Sequence, residues 1–417
     1  MWNINKNSGS NKMTQTVNTN NLTPKLRFPE FKDCGEWTIL ELSKLAKLIT
    51  EKAGNNNYTP MSVTSGKGLV PQKEKFGREI AGGQFRNYYV IKKWNFAYNK
   101  SATNLYPEGF ITLLKDYDIA AVPNSIFTCF QVNEKIIYPL YLDFLFQNNY
   151  HGKWLRKFIE IGARAHGSLS IDSKILFKLP IVFPSLPEQQ KIADCLTSID
   201  EVIAAHTRKL ELLKAQKKGL MQNLFPQDGE KMPKFRFKEF EKDGEWEEKP
   251  LGKVCKMQAG KFVNASEINE YCTENLFPCY GGNGLRGYTK SYTHYGTYSL
   301  IGRQGALCGN VILVNDKFYA TEHALVTEEV EGVHSIWLYY LLLLLNLNKY
   351  ATGQAQPGLS VNNIEQITIF IPQSTNEQQK IADCLTSLDD LIIATSEKLE
   401  ALQAHKKGLM QQLFPKI

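Results

Sequence analysis

The string EQQKIADCLTS occupies residues 188–198 and recurs, letter for letter, at residues 377–387. Eleven identical residues in a row indicate an internal duplication, and a duplication largely determines the architecture of a chain. The match continues downstream, so that residues 188–226 and 377–415 are similar throughout and both end in LFP. The two segments therefore form the constant end of a repeated unit.

The opposite end of each unit is also repeated. LRFPEFKDCGEW at residues 26–37 matches FRFKEFEKDGEW at residues 235–246. The segments between these anchors, residues 38–178 and 249–366, show little similarity to each other. Constant ends around variable middles indicate one scaffold that presents two different recognition surfaces.

The constant segment that contains each string predicts a long helix with a coiled-coil seam. Its apolar residues are spaced alternately by four and three positions over more than four heptads, which is the pattern of helices that pack lengthwise. Such a helix spans about 55 Å at ~1.5 Å per residue. The predicted seam consists of Ile192, Leu196, Ile199, Ile203, Leu210, Leu213, Leu220, Leu224, Ile381, Leu385, Leu388, Ile392, Leu399, Leu402, Leu409 and Leu413.

Polar residues interrupt the seam at matching places in the two copies, His206 with Thr395 and Lys217 with Lys406. In a parallel pair of helices the two lysines would face each other, so the pattern favours an antiparallel pair. The alternative is that each helix lies on its own globular domain. The charged residues along both helices, and their length, argue against that alternative.

Length and composition predict a multidomain protein without a membrane span or a metal site. With 417 residues, 43% hydrophobic and 22% charged, the chain is suited to two or three soluble domains. Its eight cysteines lack zinc-type spacing, so we expect free thiols in the cytoplasm. The apolar run at residues 336–345 is shorter than the roughly 20 residues of a membrane span and predicts a buried helix. Residues 1–24 are polar and predict a disordered N-terminal extension.

The first variable segment is basic, with 19 Lys and Arg against 11 Asp and Glu between residues 38 and 178. Cations interleaved with Tyr, Asn and Gln are the groups that contact phosphates and base edges of nucleic acid. For any single lysine the alternative is a solvated basic face. The candidate DNA-binding residues of this segment are Lys73, Lys75, Arg78, Arg86, Tyr89, Lys92, Lys93, Asn99, Lys100 and Arg164.

The second variable segment is balanced in charge, but it contains the glycine-rich stretch YGGNGLRGYTKSYTHYG at residues 280–296. Residues 282–287 match the dinucleotide-binding pattern G-x-G-x-x-G. We reject that interpretation, because the Tyr- and Thr-rich continuation does not predict the helix that would face a pyrophosphate. A glycine-rich loop instead favours close approach to a DNA groove. The candidates here are Tyr280, Gly282, Asn283, Gly284, Arg286, Tyr288 and Lys290.

Two further candidates, Arg303 and Gln304, lie in LIGRQGALCGNVILV at residues 300–314. The pattern places them at a turn between two strands. Arginine and glutamine are the side chains that pair bidentately with guanine and adenine edges. The alternative for Arg303 is an ion pair that stabilises the turn.

The motifs of the common nucleotide-dependent and metal-dependent enzymes are missing from the sequence. It contains no G-x-x-x-x-G-K-[ST] loop and no H-E-x-x-H, and it lacks the Asn/Asp-Pro-Pro-aromatic tetrapeptide typical of amino-methyltransferases. We therefore expect a chain without catalytic residues, metal or bound cofactor.

The opening LRFPEF and GEW motifs, the EQQKIADCL helix that ends in KKGLM and LFP, and the duplication around divergent middles resemble the DNA-specificity subunit of type I restriction–modification systems. The resemblance covers residues 25–417. It implies that each variable middle is an α/β target recognition domain for one half of a split site in double-stranded DNA. The paired helices would act as the spacer between the two halves.

The resemblance also implies partners. Two DNA adenine methyltransferase subunits would dock on the constant helices and supply S-adenosylmethionine, and motor–nuclease subunits would join for cleavage. The chain itself would carry no catalysis. Two alternatives remain open at this stage: a self-contained DNA-modifying enzyme, and a coiled-coil scaffold that makes no contact with DNA.

These observations predict a mixed α+β fold. Two α/β target recognition domains are joined by two long helices, which form an antiparallel coiled coil with pseudo-twofold symmetry. We place the recognition domains at residues 25–180 and 234–368. The constant regions with the helices then fall at residues 181–233 and 369–417.

Overall fold

The computed structural model describes residues 22–64, 67–101, 106–159, 171–227, 229–305, 307–353 and 357–415. The chain divides into two compact units. Unit 1 comprises Met1–Ala205 with Leu399–Ile417, and unit 2 comprises His206–Lys398. Both long helices are divided between the units, so each unit contains parts of both copies of the constant segment.

The two predicted long helices are confirmed, and each has 39 residues. The first long helix is Leu186–Leu224 and the second long helix is Thr375–Leu413. Pro187 lies in the first turn of the first long helix, where the missing N–H of proline has no intrahelical partner to lose.

Unit 1 contains a central antiparallel sheet of four strands in the order β2-β9-β6-β7. Around it, β1 pairs with β10, β3 with β4 and β5 with β8, all antiparallel. The sequences of β6 and β7, NFAYN and FITL, are rich in aromatic and β-branched residues that suit a buried sheet. The described strands are β1 (Thr38–Glu41), β2 (Ala46–Ile49), β3 (Met61–Thr64), β4 (Gly68–Pro71), β5 (Tyr89–Lys92), β6 (Asn95–Asn99), β7 (Phe110–Leu113), β8 (Ile119–Val122), β9 (Phe127–Val132) and β10 (Pro180–Phe183).

The core of unit 1 forms where the helix Pro139–Gln147 packs on this sheet. The rings of Phe96 and Phe130 stack with centroids 5.1 Å apart, and Phe146 meets both edge-on. Such aromatic pairs add to the free energy of burial. The remaining short α-helices of the described part of unit 1 are Leu42–Leu45, Gln72–Phe76, Tyr150–Leu155 and Ser173–Phe177.

Unit 2 repeats this topology although its sequence differs. Its first sheet has the order β12-β19-β16-β17, β11 pairs with β20, and the second sheet has the order β14-β13-β18-β15. The pair β13–β18 is parallel and the other described pairs of this unit are antiparallel. The described strands are β11 (Glu247–Pro250), β12 (Cys255–Ala259), β13 (Phe277–Gly281), β14 (Gly284–Thr289), β15 (His294–Tyr295), β16 (Tyr298–Gly302), β17 (Val311–Val314), β18 (Lys317–Ala320), β19 (Ala324–Glu329) and β20 (Thr368–Ile371).

The apolar run of unit 2 is the buried helix Ser335–Leu344, as predicted. Trp337 and Leu342 are fully buried within the core of the unit. The other short α-helix in the described part of unit 2 is Val361–Glu365. Across the described residues, we find no helix with both the length and the apolar character needed to cross a membrane.

An arginine–glutamate clamp joins the opening motif of each unit to the start of a long helix. Arg27 donates from Nε and Nη2 to the two carboxylate oxygens of Glu188 at 2.7 and 2.8 Å. Arg236 does the same with Glu377 at 2.8 and 2.7 Å, and Trp246 adds a third donor to that carboxylate at 3.2 Å. Hydrogen bonding to the carboxylates raises the pKa of both guanidinium groups, as expected for bidentate pairs.

A glutamine bridge follows the clamp in each copy of the string. Gln189 is fully buried. Its Oε1 accepts from the N–H of Tyr138 at 2.7 Å, and its Nε2 donates to the carbonyls of Ile136 at 3.1 Å and Pro184 at 2.9 Å. Gln378 makes the corresponding three bonds to the backbone of His334, Gly332 and Pro372. The repeated EQQ is therefore explained by two buried side chains that tie each recognition domain to a helix.

Within each unit the two long helices run antiparallel. In unit 1 the ammonium of Lys406 lies 2.6 Å from the carboxylate of Asp200, and Ile192 and Leu413 belong to one core cluster. In unit 2 Lys217 lies 2.5 Å from Asp389. The seam lysines thus meet aspartates, which is how the helices accommodate them. All sixteen predicted apolar seam residues are buried or half-buried.

Each seam lysine also lies over an aromatic ring of the adjoining recognition domain. The Nζ of Lys406 is 5.2 Å from the centre of the Phe144 ring, and the Nζ of Lys217 is 5.3 Å from that of Tyr340. The hydroxyl of Tyr340 also donates to Asp389 at 2.8 Å. A cation over a ring face is attracted by its quadrupole, so these contacts hold the domain against the helix pair.

The strand pairing of the structure does not follow the predicted segment boundaries. The predicted boundaries at residues 180/181 and 368/369 cut through β10 and β20, which pair with β1 and β11 at the start of each unit. Of the predicted extension 1–24, residues 1–21 lie outside the described residues, whereas Leu22 packs against the core of unit 1. The periodicity of apolar residues predicts the helices. It does not predict that a strand next to each long helix pairs with a strand that follows the opening motif.

Replacing Gln189 by Met should lower the free energy of unfolding of unit 1 by about 2–4 kcal/mol, because three backbone groups lose their bonds to a buried side chain. Hydrogen exchange measured by mass spectrometry on the full chain would locate the loss to residues 136–147. The same change at Gln378 should destabilise unit 2.

Gln190→Met is the matched control, because Gln190 is the exposed neighbour in the same string. It should change the free energy by no more than about 0.5 kcal/mol. Equal effects at Gln189 and Gln190 would contradict the role assigned to the glutamine bridge.

His151 should make the stability of unit 1 depend on pH. The ring is fully buried, its Nε2 lies 3.2 Å from the carbonyl of Gly109, and burial lowers its pKa to about 4. The unfolded chain, with a pKa near 6.5, binds the proton first, so stability is lost as pH falls below about 6.5. Between pH 7.5 and 5 this loss should be ~2 kcal/mol.

Urea unfolding at the two pH values measures this difference. His151→Gln keeps a donor for Gly109 and should remove about the ~2 kcal/mol of pH dependence that His151 contributes. His405→Gln, at an exposed position of unit 1, is the control and should leave the dependence unchanged. An unchanged slope in His151→Gln would contradict the assignment.

Candidate nucleic-acid interface

Unit 2 contains a groove of about 370 Å³ that brings several of the candidate residues together. We call it the unit 2 groove and define it by residues 281–286, Gln304, Gly305 and His323. Gly281 ends β13, residues 282 and 283 connect it to β14, and residues 284–286 begin β14. Gln304 follows the end of β16. The predicted candidates Gly282, Asn283, Gly284, Arg286 and Gln304 all line it.

The glycines of this stretch allow two backbones to approach each other. A Cβ at Gly302 would lie 2.2 Å from the carbonyl oxygen of Gly282, and a Cβ at Gly282 would lie 3.0 Å from that of His323. Gly284 has a φ of +93°, a backbone conformation that residues other than glycine rarely adopt. Because β14 follows and no helix does, the G-x-G-x-x-G match is not a dinucleotide site.

Arg303 and Gln304 lie between β16 and β17, as predicted. The backbone N–H of Arg303 donates to the carbonyl of His323 at 2.9 Å, and its own carbonyl accepts from Leu359 at 2.9 Å. Gln304 is exposed and Arg303 half-buried. Within the described part of the chain the Arg303 side chain forms no ion pair, so the turn-stabilising alternative finds no support. A fixed backbone suits recognition of a base edge when its side-chain donors, as here, have no partner among the described residues.

One apolar side chain at the groove was missed by the sequence reasoning. Leu285 lines the groove and is 52% exposed. Apolar contacts of this kind recognise the thymine methyl group. His323 was also missed, since nothing in the sequence places the β18–β19 connection beside the glycine-rich turn.

Three predicted residues of unit 2 lie elsewhere. The ring of Tyr280 packs with Phe318 in the core, and burial raises the pKa of its hydroxyl. Tyr288 lies farther along β14, where its backbone pairs with Asn269. Lys290 is exposed beyond the far end of β14. An irregularity of β13 between Cys279 and Tyr280 leaves Tyr280 half-buried against Phe318. Lys290 lies beyond the end of β14 that is farther from the groove.

In unit 1 Asn99 and Lys100 occupy the place that Gly302 and Arg303 occupy in unit 2. Both pairs end the third strand of the four-stranded sheet, β6 or β16. The N–H of Lys100 donates to the carbonyl of Ile126 at 3.0 Å, as that of Arg303 does to His323. The side chain of Asn99 accepts from the N–H of Ser101, so it shapes the turn.

A basic surface of unit 1 surrounds the helix Gln72–Phe76. Gln72 is buried, donates to the hydroxyl of Tyr88 at 3.3 Å and accepts from the N–H of Ile80 at 3.2 Å. This closes residues 72–80 into a loop beside the turn 82–87. The candidates that the loop and the turn expose are Lys73, Lys75, Arg78 and Arg86.

The other candidates of unit 1 are separate from this loop. Lys92 and Lys93 lie at the reversal between β5 and β6, where Lys93 bonds through its N–H to the carbonyl of Asp118 and its Nζ lies over the ring of Trp94. Tyr89, another candidate, is half-buried and its ring packs against the core. Arg164 lies outside the described residues. A charge count over a segment does not distinguish such positions.

Comparison with known proteins agrees with this architecture. A family model described as the type I restriction modification DNA specificity domain matches residues 85–215 and 243–404. The EcoprrI specificity subunit of a type I restriction enzyme from Escherichia coli is 34% identical over 304 residues, 70% of this chain and 74% of that protein. The MjaVIII specificity subunit from Methanocaldococcus jannaschii is 26% identical over 290 residues, 64% of this chain and 68% of that protein.

A solved structure of a type I restriction–modification S subunit from M. genitalium shares the fold. Its TM-score is 0.63 at 16% identity, with 95% of this chain and 100% of that chain covered. The duplicated unit therefore defines a protein with two DNA specificity domains. The chain belongs to the family of type I restriction–modification DNA specificity subunits.

Replacing Gly302 by Ala should lower the free energy of unfolding of unit 2 by about 1–3 kcal/mol, because the new Cβ forces the backbones at residues 282 and 302 apart. Chemical denaturation, with hydrogen exchange at residues 281–286, measures the change. Gly219→Ala is the control, since a Cβ there meets nothing within 4 Å, and it should stabilise the first long helix by up to ~1 kcal/mol. A Gly302→Ala protein as stable as the wild type would contradict the packing described.

Proposed function

We propose that this chain is the non-catalytic specificity subunit of a type I restriction–modification enzyme and recognises a bipartite target in double-stranded DNA. Each unit reads one half of the target. The observation that carries the proposal is one topology built twice, with a constant frame and different side chains at equivalent positions, such as Lys100 in unit 1 and Arg303 in unit 2. The matches to curated specificity subunits support it.

The proposed contacts follow from the chemistry of the exposed groups. In unit 2, Arg286, Arg303 and Gln304 provide donors for base edges, and Leu285 provides an apolar contact. In unit 1 the loop of residues 72–80 supplies cations for the phosphate backbone, which position a protein on the duplex without reading its sequence. The two halves thereby recognise different sequences.

The proposed partners are two DNA adenine methyltransferase subunits and the motor–nuclease subunits of the same enzyme. The methyltransferase partner holds S-adenosylmethionine and carries out the methyl transfer. Exposed apolar residues off the seam of the long helices, Leu212, Leu391 and Ile393 in unit 2, support docking there, with exposed fractions of 62%, 50% and 56%. Large apolar side chains on an exposed helix face are typical of protein interfaces.

The test measures DNA binding by the chain alone and by the chain with its methyltransferase partner. The complex should bind one bipartite sequence tightly, with an affinity that falls as salt rises because phosphate contacts release counterions. Exchanging residues 249–366 for those of another specificity subunit should alter one half-site only, as read from the positions of methylated adenines.

Three outcomes would contradict the proposal. Methylation or cleavage by the purified chain alone would favour a self-contained DNA-modifying enzyme. A complex whose DNA binding is absent at every salt concentration would favour a scaffold without DNA contact. A change in both half-sites after exchange of one segment would contradict the assignment of one unit to each half.

A further inference from the structure

The connection between β18 and β19, residues 321–323, forms one wall of the unit 2 groove through His323. Its backbone is held at both ends. The N–H of Thr321 donates to the carbonyl of Tyr280 at 2.8 Å, and the carbonyl of His323 accepts from Arg303 at 2.9 Å. The backbone that carries these side chains is therefore held in place, which favours precise recognition.

Two polar atoms of this connection are buried without a hydrogen-bond partner among the described residues, Thr321 Oγ1 and Glu322 Oε2. Unsatisfied buried polar atoms are uncommon in folded proteins and indicate a water, an ion or a ligand that completes them. A Cβ at Gly281, which lines the groove, would lie 3.4 Å from Thr321 Oγ1. The unsatisfied hydroxyl thus lies next to the groove wall.

Glu322 also lies against the ring of His323. The distance from His323 Nε2 to Glu322 Oε1 is 3.3 Å, and the two side chains are 45% and 32% exposed. With a proton on Nε2 facing the carboxylate, the other ring nitrogen of a neutral histidine, Nδ1, is an acceptor. Glu322 Oε1 thus orients the imidazole, while Glu322 Oε2 is buried. The acceptor that the pair offers at the groove is Nδ1 of His323, because His323 lines the groove.

The equivalent connection of unit 1 has different chemistry. Residues 123–126 join β8 to β9 and read Pro-Asn-Ser-Ile, where unit 2 has Thr-Glu-His. The carbonyl of Ile126 accepts from Lys100 as that of His323 accepts from Arg303. One backbone position with two sets of side chains is expected where two domains read different half-sites.

We propose that His323, oriented by Glu322, determines base preference in unit 2 by accepting a hydrogen bond at Nδ1 from the exocyclic amino group of an adenine or a cytosine. This inference rests on the proposed function and names the residues and the base class for one half-site. In the major groove, the N4 amino group of cytosine and the N6 amino group of adenine are the donors that such an acceptor can read. Arg303 and Gln304, which offer donors, would read neighbouring positions.

The experiment uses the full chain assembled with its methyltransferase partner. DNA with both half-sites randomised is bound, recovered and sequenced. His323→Ala and Glu322→Ala should each weaken the preference at a single position of one half-site, by roughly 5- to 150-fold. Glu322→Gln keeps an oxygen that can accept from Nε2 of His323, so it should retain more of the preference than Glu322→Ala.

A base analogue identifies the group that is read. Purine in place of adenine, or 2-pyrimidinone in place of cytosine, removes the amino group at the affected position. The analogue should weaken binding by the wild-type complex and have no further effect on the His323→Ala complex. An equal loss in both complexes would overturn the assignment of the amino group to His323.

Lys256→Ala is the control, because Lys256 is exposed on β12 and does not line the groove, and it should leave the preference unchanged at every position. Thermal unfolding checks that each variant is folded. Unchanged base preference in His323→Ala, or a uniform loss of affinity for all sequences, would overturn the inference. A wild-type complex without any sequence preference would contradict the proposed function instead.

Discussion

A buried bidentate pair between arginine and glutamate, made once in each unit, holds the opening motif of that unit at the start of a long helix. Glu188 and Glu377 are each 1% exposed. Removal of its arginine would leave either carboxylate as an uncompensated buried charge and lower the free energy of unfolding by about 3–5 kcal/mol. The glutamine that follows ties the recognition domain to the same turn of helix. Because both side chains belong to one string, the string has to be kept whenever the unit is duplicated.

Because the long helices run antiparallel, each unit contains the C-terminal part of the long helix from the other copy of the repeat. Unit 1 takes the end of the second long helix, and its core includes Leu413 and Phe414. Unit 2 takes the end of the first long helix, with Leu224 and Phe225 in its core. Each end is fixed by a seam lysine that meets an aspartate and an aromatic ring. A polar residue in a seam lowers stability but specifies register. Here the equivalent lysines Lys406 and Lys217 specify the register in units 1 and 2.

The sequence predicted the parts of this structure that have a period or an exact repeat. The heptads located the seam from Ile192 to Leu224, and the duplication located the two frames. The groove was found only in part, because its walls come from segments far apart in sequence. Gly282 could be identified because it lies in a glycine-rich stretch, and Gln304 because its side chain can pair with a base edge. His323 carried no such signal, since its position depends on strand order. Tyr280 lies apart from the groove residues, because composition does not tell where a strand directs its side chains.

The separation of frame and reading surface explains how specificity can change without loss of the fold. The clamp, the glutamine bridge and the seam lie in the constant segments and make contacts that every unit needs. The β18–β19 connection takes its backbone position from hydrogen bonds at Thr321 and His323, which any side chain at those positions can make through its main chain. Substitution there alters the donors and acceptors presented to DNA while the strands on both sides stay paired. A unit built in this way can acquire a new target through a few side chains, provided that the glycines behind them still allow the backbones to meet.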